Sequence, residues 1–118
     1  MKFKKANSGT VEIHEDYRKN ILFGIYDFMD QKHLLQTVTI PPHTKQREHF
    51  HSVQTEVFYI LRGECLIVVN GREYLSKQGD AIICEPHDVH YLWNKTDKEF
   101  ELVVFKINYP GNTDTQWK

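Results

Sequence analysis

Glycines recur at even intervals in the middle of this chain, because Gly63, Gly71 and Gly79 stand eight residues apart. The segment 64–69 between the first two glycines is mostly apolar, the segment 72–75 before the third is mixed, and both are short. Asn70-Gly71 is a favoured pair for a two-residue hairpin turn, since both central positions of that turn have positive φ. Short strands joined by regular turns predict an all-β fold, either a sandwich or a small barrel.

The rest of the chain fits the same class. Segments rich in β-branched and aromatic residues predict strands over 21–28, 34–40, 56–61, 64–70, 72–75, 81–84, 89–93 and 100–107. Residues 12–19 fit either a helical turn or a polar strand. The 118 residues are 40% hydrophobic and 26% charged, as in one globular domain. We therefore expect a single domain over 1–118, whose polar tail, 110–118, is ordered only if it packs against the body or a partner.

Charge and composition argue against several classes of protein. Fifteen Lys plus Arg residues against sixteen Asp plus Glu give a net charge of −1, so the basic excess of a nucleic-acid-binding domain is absent. No apolar run approaches the roughly 20 residues that span a bilayer, and the basic start Met1–Lys5 is followed by polar residues. We expect neither a membrane partner nor a signal peptide. The two cysteines, Cys65 and Cys84, are too few for a disulfide scaffold, which favours a reducing, cytoplasmic location.

Histidines provide the main chemical signal. His49 and His51 flank one phenylalanine, and residues two apart on a strand face the same side, so both imidazoles could reach one metal ion. A turn after His51 would bring Glu56 back beside them, and His90 could approach from a later strand. Three imidazoles and a carboxylate suit one divalent transition metal ion such as Mn, Fe, Co, Ni, Cu or Zn. The alternative is that the histidines are surface or hydrogen-bonded residues and that the glutamate is solvated.

The order of these residues resembles two sequence motifs of the cupin superfamily. The first is His49-X-His51, four residues, Glu56, six residues and Gly63. The second is Gly79, five residues, Glu85-Pro86-His87, two residues, His90, three residues and Asn94. The resemblance implies a jelly-roll barrel of two antiparallel sheets, the double-stranded β-helix, with a core near 36–107 and N-terminal strands in 1–35. It also implies a metal ion in the barrel cavity, held by His49, His51, Glu56 and His90.

Two positions depart from the family pattern. His43 stands where the family often has glycine, six residues before the first histidine of the motif. His87 replaces the glycine of the usual Pro-X-Gly, so a different backbone geometry is expected in the turn before His90. Each of these histidines is a candidate general acid or base, because an imidazole titrates near neutrality, and each could equally be a solvated loop residue.

The resemblance favours a metal-dependent enzyme that acts on a small organic substrate. Dioxygenase or other oxidoreductase chemistry is the leading hypothesis, and a metal-dependent isomerase or epimerase is the next. A non-catalytic protein that binds a metal or a small ligand is the alternative from another class, since one fold supports many functions. The residues expected to line the cavity are Phe58, Ile60, Cys65 and Ile67.

The segment 64–70 is apolar on both faces. Cys65 and Ile67 lie on one face, and Leu66 and Val68 lie on the other. A strand with one solvated face would alternate with polar residues, so the second face needs a cover. A homodimer would provide this cover on both subunits at once. The alternative is that the first 30 residues fold back over the barrel of their own chain.

Overall fold

The computed structural model describes residues 1–118 and consists almost entirely of strands. The twelve strands are β1 (Thr10–Ile13), β2 (Arg18–Phe23), β3 (His33–Ile40), β4 (Thr44–Lys45), β5 (His49–His51), β6 (Thr55–Arg62), β7 (Glu64–Val69), β8 (Arg72–Lys77), β9 (Ala81–Cys84), β10 (His90–Asn94), β11 (Phe100–Ile107) and β12 (Thr115–Trp117). Single-turn 3-10 helices cover Ile25–Asp27 and Asn112–Asp114. Neither helix has the length and apolar character needed to cross a bilayer.

The strands form two sheets. The first sheet has the order β1-β2-β3-β11-β6-β9, and the second has the order β12-β5-β10-β7-β8, with β4 also paired to β10. All strand pairs are antiparallel. The predicted all-β barrel of two antiparallel sheets is confirmed.

Alternating residues of both sheets form the core between them. On β6, the side chains of Glu56, Phe58 and Ile60 are buried while Tyr59 is exposed, so the predicted faces of this strand are correct. The apolar core consists of Val38, Ile40, Phe58, Ile60, Cys65, Ile67, Cys84, Leu92, Phe100, Leu102 and Val104. Period-two alternation therefore gives the strands one common interior, as expected for packed sheets.

Two glycine positions show why the turns fall where they do. Asn70 and Gly71 have φ of 50° and 80° and join β7 to β8, as the hairpin signal predicts. Gly63 lies between β6 and β7 with φ of 82°, and a Cβ there would lie 2.6 Å from the carbonyl oxygen of Glu99. Glycine is therefore required here for two reasons, the positive φ and the close approach of two backbones.

The two ends of the chain differ in part from the sequence-based expectation. The strand expected over 21–28 ends at Phe23, where the Asp27 carboxylate accepts a hydrogen bond from the Gly24 N–H at 2.9 Å and stabilises a helical turn. Residues 12–19 form the ends of β1 and β2 and the turn between them, so the polar-strand alternative holds. The tail packs against the body, because β12 pairs with β5.

The homodimer stays a prediction. Val68 is only 4% exposed within one chain, whereas Leu66 is half-buried and its cross-strand partner Leu75 is 68% exposed. We expect light scattering to give twice the 14.0 kDa chain mass. Leu75→Asp should return the mass to that of one chain, because it places an unpaired charge at the interface.

The control for this experiment is Ile83→Asp, since Ile83 is 59% exposed on β9 of the other sheet. This variant should leave the mass unchanged. A wild-type mass near that of one chain would contradict the dimer directly.

Candidate metal centre

Four potential metal ligands converge from three strands. β5 carries His49 and His51, β6 carries Glu56, and β10 carries His90, whose backbone is directly opposite His49 in the β5–β10 pair. One ligand atom from each of the four side chains lies within 4.8 Å of the other three. His51, Glu56 and His90 are buried, and His49 is half-buried.

Backbone carbonyls orient the three imidazoles. The Nδ1 atoms of His49 and His90 lie 2.8 Å from the carbonyl oxygens of Arg47 and Asp88. His51 Nδ1 lies 3.2 Å from the carbonyl oxygen of Asp114. A carbonyl oxygen can only accept, so each Nδ1 donates there and each Nε2 is directed at the centre of the cluster, where a neutral imidazole would offer its lone pair to a metal ion.

The cluster therefore gathers hydrogen-bond acceptors. The Nε2 atoms of His51 and His90 lie 2.8 and 3.1 Å from Oε1 of Glu56. The buried Nε2 of His51 makes no hydrogen bond of acceptable geometry. A proton can satisfy one such contact, but a divalent cation satisfies all four ligands at once. Nitrogen and carboxylate ligands of this kind fit a divalent transition metal.

The ionisation of the cluster supports the same conclusion. Burial would raise the pKa of Glu56, but the imidazoles of His51 and His90 beside its carboxylate hold it well below its usual value, so this residue is a carboxylate. Burial, reinforced by the neighbouring His90, lowers the pKa of His49 to about 4. His49 is thus a neutral imidazole at neutral pH, which is the form that binds metals.

Asp114 fixes the loop that joins two of the ligands. Its carboxylate accepts hydrogen bonds from the backbone N–H groups of Ser52, Val53 and Gln54 at 2.9–3.0 Å. These residues connect His51 to Glu56 and turn the chain back to the cluster. Sequence analysis did not identify Asp114, because it lies in the polar tail and no local pattern shows which loop it contacts.

The cluster lies on the wall of a cavity of about 240 Å³. Trp117 of β12 borders this cavity with its ring centroid 5.2 Å from that of His49. The wall also includes Glu12, Lys19, Gln36 and Lys106, none of which sequence analysis identified. The sequence does contain a pattern that places Lys106 inside the barrel. This lysine continues the inward-facing series Phe100, Leu102, Val104 of β11. Burial lowers the pKa of Lys106, which indicates that its ammonium is poorly hydrated.

Of the four residues expected to line the cavity, only Phe58 does so. Ile60, Cys65 and Ile67 are at most 1% exposed and pack in the apolar core, so this part of the expectation is corrected. The inward face of each strand is longer than the cavity, and the remainder of it is filled by core packing. Burial raises the pKa of both cysteine thiols to about 12, consistent with a structural role.

His43 and His87 do not line the cavity. His43 is exposed, and its Nε2 contacts the carboxylate of Asp97. His87 is also exposed, and its backbone N–H donates a 2.7 Å hydrogen bond to the carbonyl oxygen of His51. Neither side chain lines the cavity, and an acid–base role for either histidine stays a prediction.

Backbone geometry explains the two departures from the family pattern. His43 and His87 have φ of 53° and 72°, both in the left-handed region that glycine adopts most easily. The turn before His90 therefore keeps a glycine-like conformation at His87, contrary to the expectation of a different geometry. Glycine would adopt this conformation without strain, so the two positions have a backbone that suits the residue of the family pattern.

Comparisons with known proteins agree with this geometry. The family model described as "Cupin domain" matches residues 36–106. The oxalate-binding protein of Thermotoga maritima is 30% identical over 76 residues, which are 63% of each chain. An oxidoreductase of Arthrobotrys oligospora is 30% identical over 69 residues, which are 58% of this chain but only 27% of that protein. The chain thus spans less than two thirds of the length of these relatives.

A solved structure shows the same fold. The crystal structure of a predicted oxalate decarboxylase from Thermotoga maritima has a TM-score of 0.82 and 23% identity, covering 91% of this chain and 99% of the other. At this identity the likeness concerns the fold alone. The family match covers more than half of the chain and contains all four clustered residues. The chain belongs to the cupin domain family.

Proposed function

We propose that this protein is a metal-dependent enzyme that acts on a small organic substrate through oxygen atoms of that substrate. The observation that carries the proposal is the convergence of four ligand atoms within 4.8 Å on the wall of a cavity. His49, His51, Glu56 and His90 would hold the ion. The bound ion would supply Lewis-acid or redox chemistry.

The other residues around the cavity restrict what can bind. A cavity of about 240 Å³ accommodates a molecule of metabolite size rather than a polymer. Phe58, Leu92, Leu102 and Val104 form an apolar part of the wall, which excludes water from the bound substrate. Trp117, which is 53% exposed, shields His49 on the solvent side.

Dioxygenase or other oxidoreductase chemistry is the reaction we propose first. Four protein ligands leave two positions on a six-coordinate ion, enough for a substrate oxygen and a second small ligand. The 30% identical relative from Arthrobotrys oligospora is an oxidoreductase, which supports this class of reaction.

The proposal is tested with the protein loaded with Fe(II), Mn(II) or Ni(II) and a panel of small diols, 2-hydroxy acids and 2-oxo acids. We expect one member to give metal-dependent consumption of dioxygen, and Glu56→Gln to abolish it. A product of unchanged mass formed without dioxygen would instead support a metal-dependent isomerase. A panel member that binds and is recovered unchanged would overturn the enzymatic proposal.

The second candidate is non-catalytic binding of a small acid at the same metal. It is favoured by one observation, the 30% identity to the oxalate-binding protein of Thermotoga maritima over 63% of the chain. Oxalate is the first probe for this candidate. Calorimetric binding of oxalate with no chemical change over hours would favour it over the enzyme.

A further inference from the structure

The inner face of the first sheet is unexpectedly polar where it borders the cavity. Lys106 on β11 is the cross-strand partner of Glu56, and Gln36 on β3 is the partner of Val104, the residue two before Lys106 on the same face. Lys19 on β2 is the partner of Val38. All three polar side chains line the same cavity as the histidines. Lysine and glutamine are mostly exposed in folded proteins, so their position inside the barrel needs an explanation.

The side chain of Gln36 indicates that the cavity binds a polar group. It is 4% exposed, and its buried Oε1 has no hydrogen-bond partner in the protein. Buried polar atoms are almost always paired, and an unpaired one lowers stability. The side-chain amide can both donate and accept, so it suits an oxygen-bearing group in the cavity.

The two lysines indicate that the bound group is negatively charged. The ammonium of Lys19 lies 3.6 Å from a carboxylate oxygen of Glu12, which compensates its charge. Lys106 has no carboxylate within 4.0 Å, and its Nζ instead lies 4.6 Å from the centroid of the Tyr109 ring. The charges that face Lys106 are those of Glu56 and Glu12, and neither carboxylate forms an ion pair with it. A metal ion on Glu56 would take up the charge of that carboxylate, so the ammonium at the cavity wall favours an anionic ligand.

We propose that Lys106 and Gln36 form a second subsite, which binds an ionised oxygen group of the substrate while another oxygen of the same molecule reaches the metal. This inference rests on the proposed function. Cross-strand partners have Cβ atoms about 4.5–5.5 Å apart, so Lys106 stands directly beside the ligand Glu56. A single small molecule therefore spans both subsites. The substrate class is a small acid with a metal-binding group and a second carboxylate.

Calorimetry on the metal-loaded protein tests this inference with two sets of probes. Glycolate and lactate carry a 2-hydroxy acid group alone, whereas tartronate, malate and 2-hydroxyglutarate add a second carboxylate at three distances. We expect at least one of the three diacids to bind about 10- to 100-fold more tightly than the monoacids, the range for a charge-assisted hydrogen bond.

Lys106→Met should reduce that diacid to the affinity of the monoacids without changing the metal content. Lys106→Arg should keep the preference, which guards against a variant that merely folds poorly. Lys98→Met is the matched control, because Lys98 is exposed and lines no part of the cavity, and it should behave as wild type.

The outcomes separate this inference from the proposed function. A protein that binds no metal overturns both. A protein that binds metal and monoacids but shows no preference for any diacid, or keeps the preference in Lys106→Met, overturns the second subsite alone.

Discussion

We expect His51→Ala to lower the affinity of the protein for a divalent transition metal by at least about 100-fold. The loss of a residue that only orients a ligand costs about 10- to 100-fold, and the loss of a ligand should exceed that range. His51 is 5% exposed and supplies one of the four clustered ligand atoms, so its removal leaves three ligands and a position that water reaches poorly. Glu56→Gln should have a similar effect, since it removes the only negative charge among the four ligands with little change of shape.

Metal content after dialysis measures this effect. Emission from Trp117 gives a second measurement, because its ring lies 5.2 Å from that of His49 and a bound Cu(II) or Co(II) ion should quench it. His43→Ala is the matched control, since His43 is exposed and outside the cavity, and it should keep full occupancy. Undiminished metal content in His51→Ala would contradict the assignment of the ligands.

We expect Asp114→Ala to be the most destabilising polar substitution in the tail. It leaves three backbone N–H groups without their acceptor, and the N–H of the buried Gln54 has the poorest access to water. Bonds to a charged acceptor are worth about 1.5–3 kcal/mol each, but partial hydration of Ser52 and Val53 reduces the total to about 2–4 kcal/mol. For a domain of this size the melting temperature should fall by roughly 10 °C.

Asp97→Ala is the control for this experiment. The side chain of Asp97 is 93% exposed, so its removal should change the free energy of unfolding by less than about 0.5 kcal/mol. Thermal denaturation of both variants in metal-free buffer checks the comparison. A melting temperature of Asp114→Ala equal to that of Asp97→Ala would contradict the role of Asp114.

The contribution of Asp114 should also depend on pH. Burial would raise the pKa of Asp114, but the three backbone donors outweigh it and hold the folded-state pKa below 3.8. A lowered folded-state pKa means that the stabilisation is complete above the unfolded-state value and is lost as the pH falls below about 4. The stability difference between wild type and Asp114→Ala should therefore shrink in acid.

The strands were most predictable where short apolar or alternating segments lie between turns. β9 and β11 have the bounds that the sequence indicates, Ala81–Cys84 and Phe100–Ile107. The strand expected over 21–28 was too long, because hydrophobicity continues past Phe23 while the cap at Gly24 ends the pairing. Alternation of apolar and polar residues indicates which face of a strand is buried. The residue at which the strand ends depends on individual hydrogen bonds.

The sequence by itself determined the all-β class, the hairpin at Asn70-Gly71 and the four clustered residues. The class and the hairpin leave local signatures, since turn geometry selects residue types, and His49 and His51 share one strand face. Glu56 and His90 were grouped with them by the resemblance to the cupin motifs. Only the tertiary structure decided that Asp114 fixes the loop after His51, that Ile60 and Ile67 belong to the core, and that Lys106 faces Glu56. The physical reason is that these are contacts between strands and segments distant in the chain. Their energies depend on sheet order and register, which no single segment of the sequence encodes.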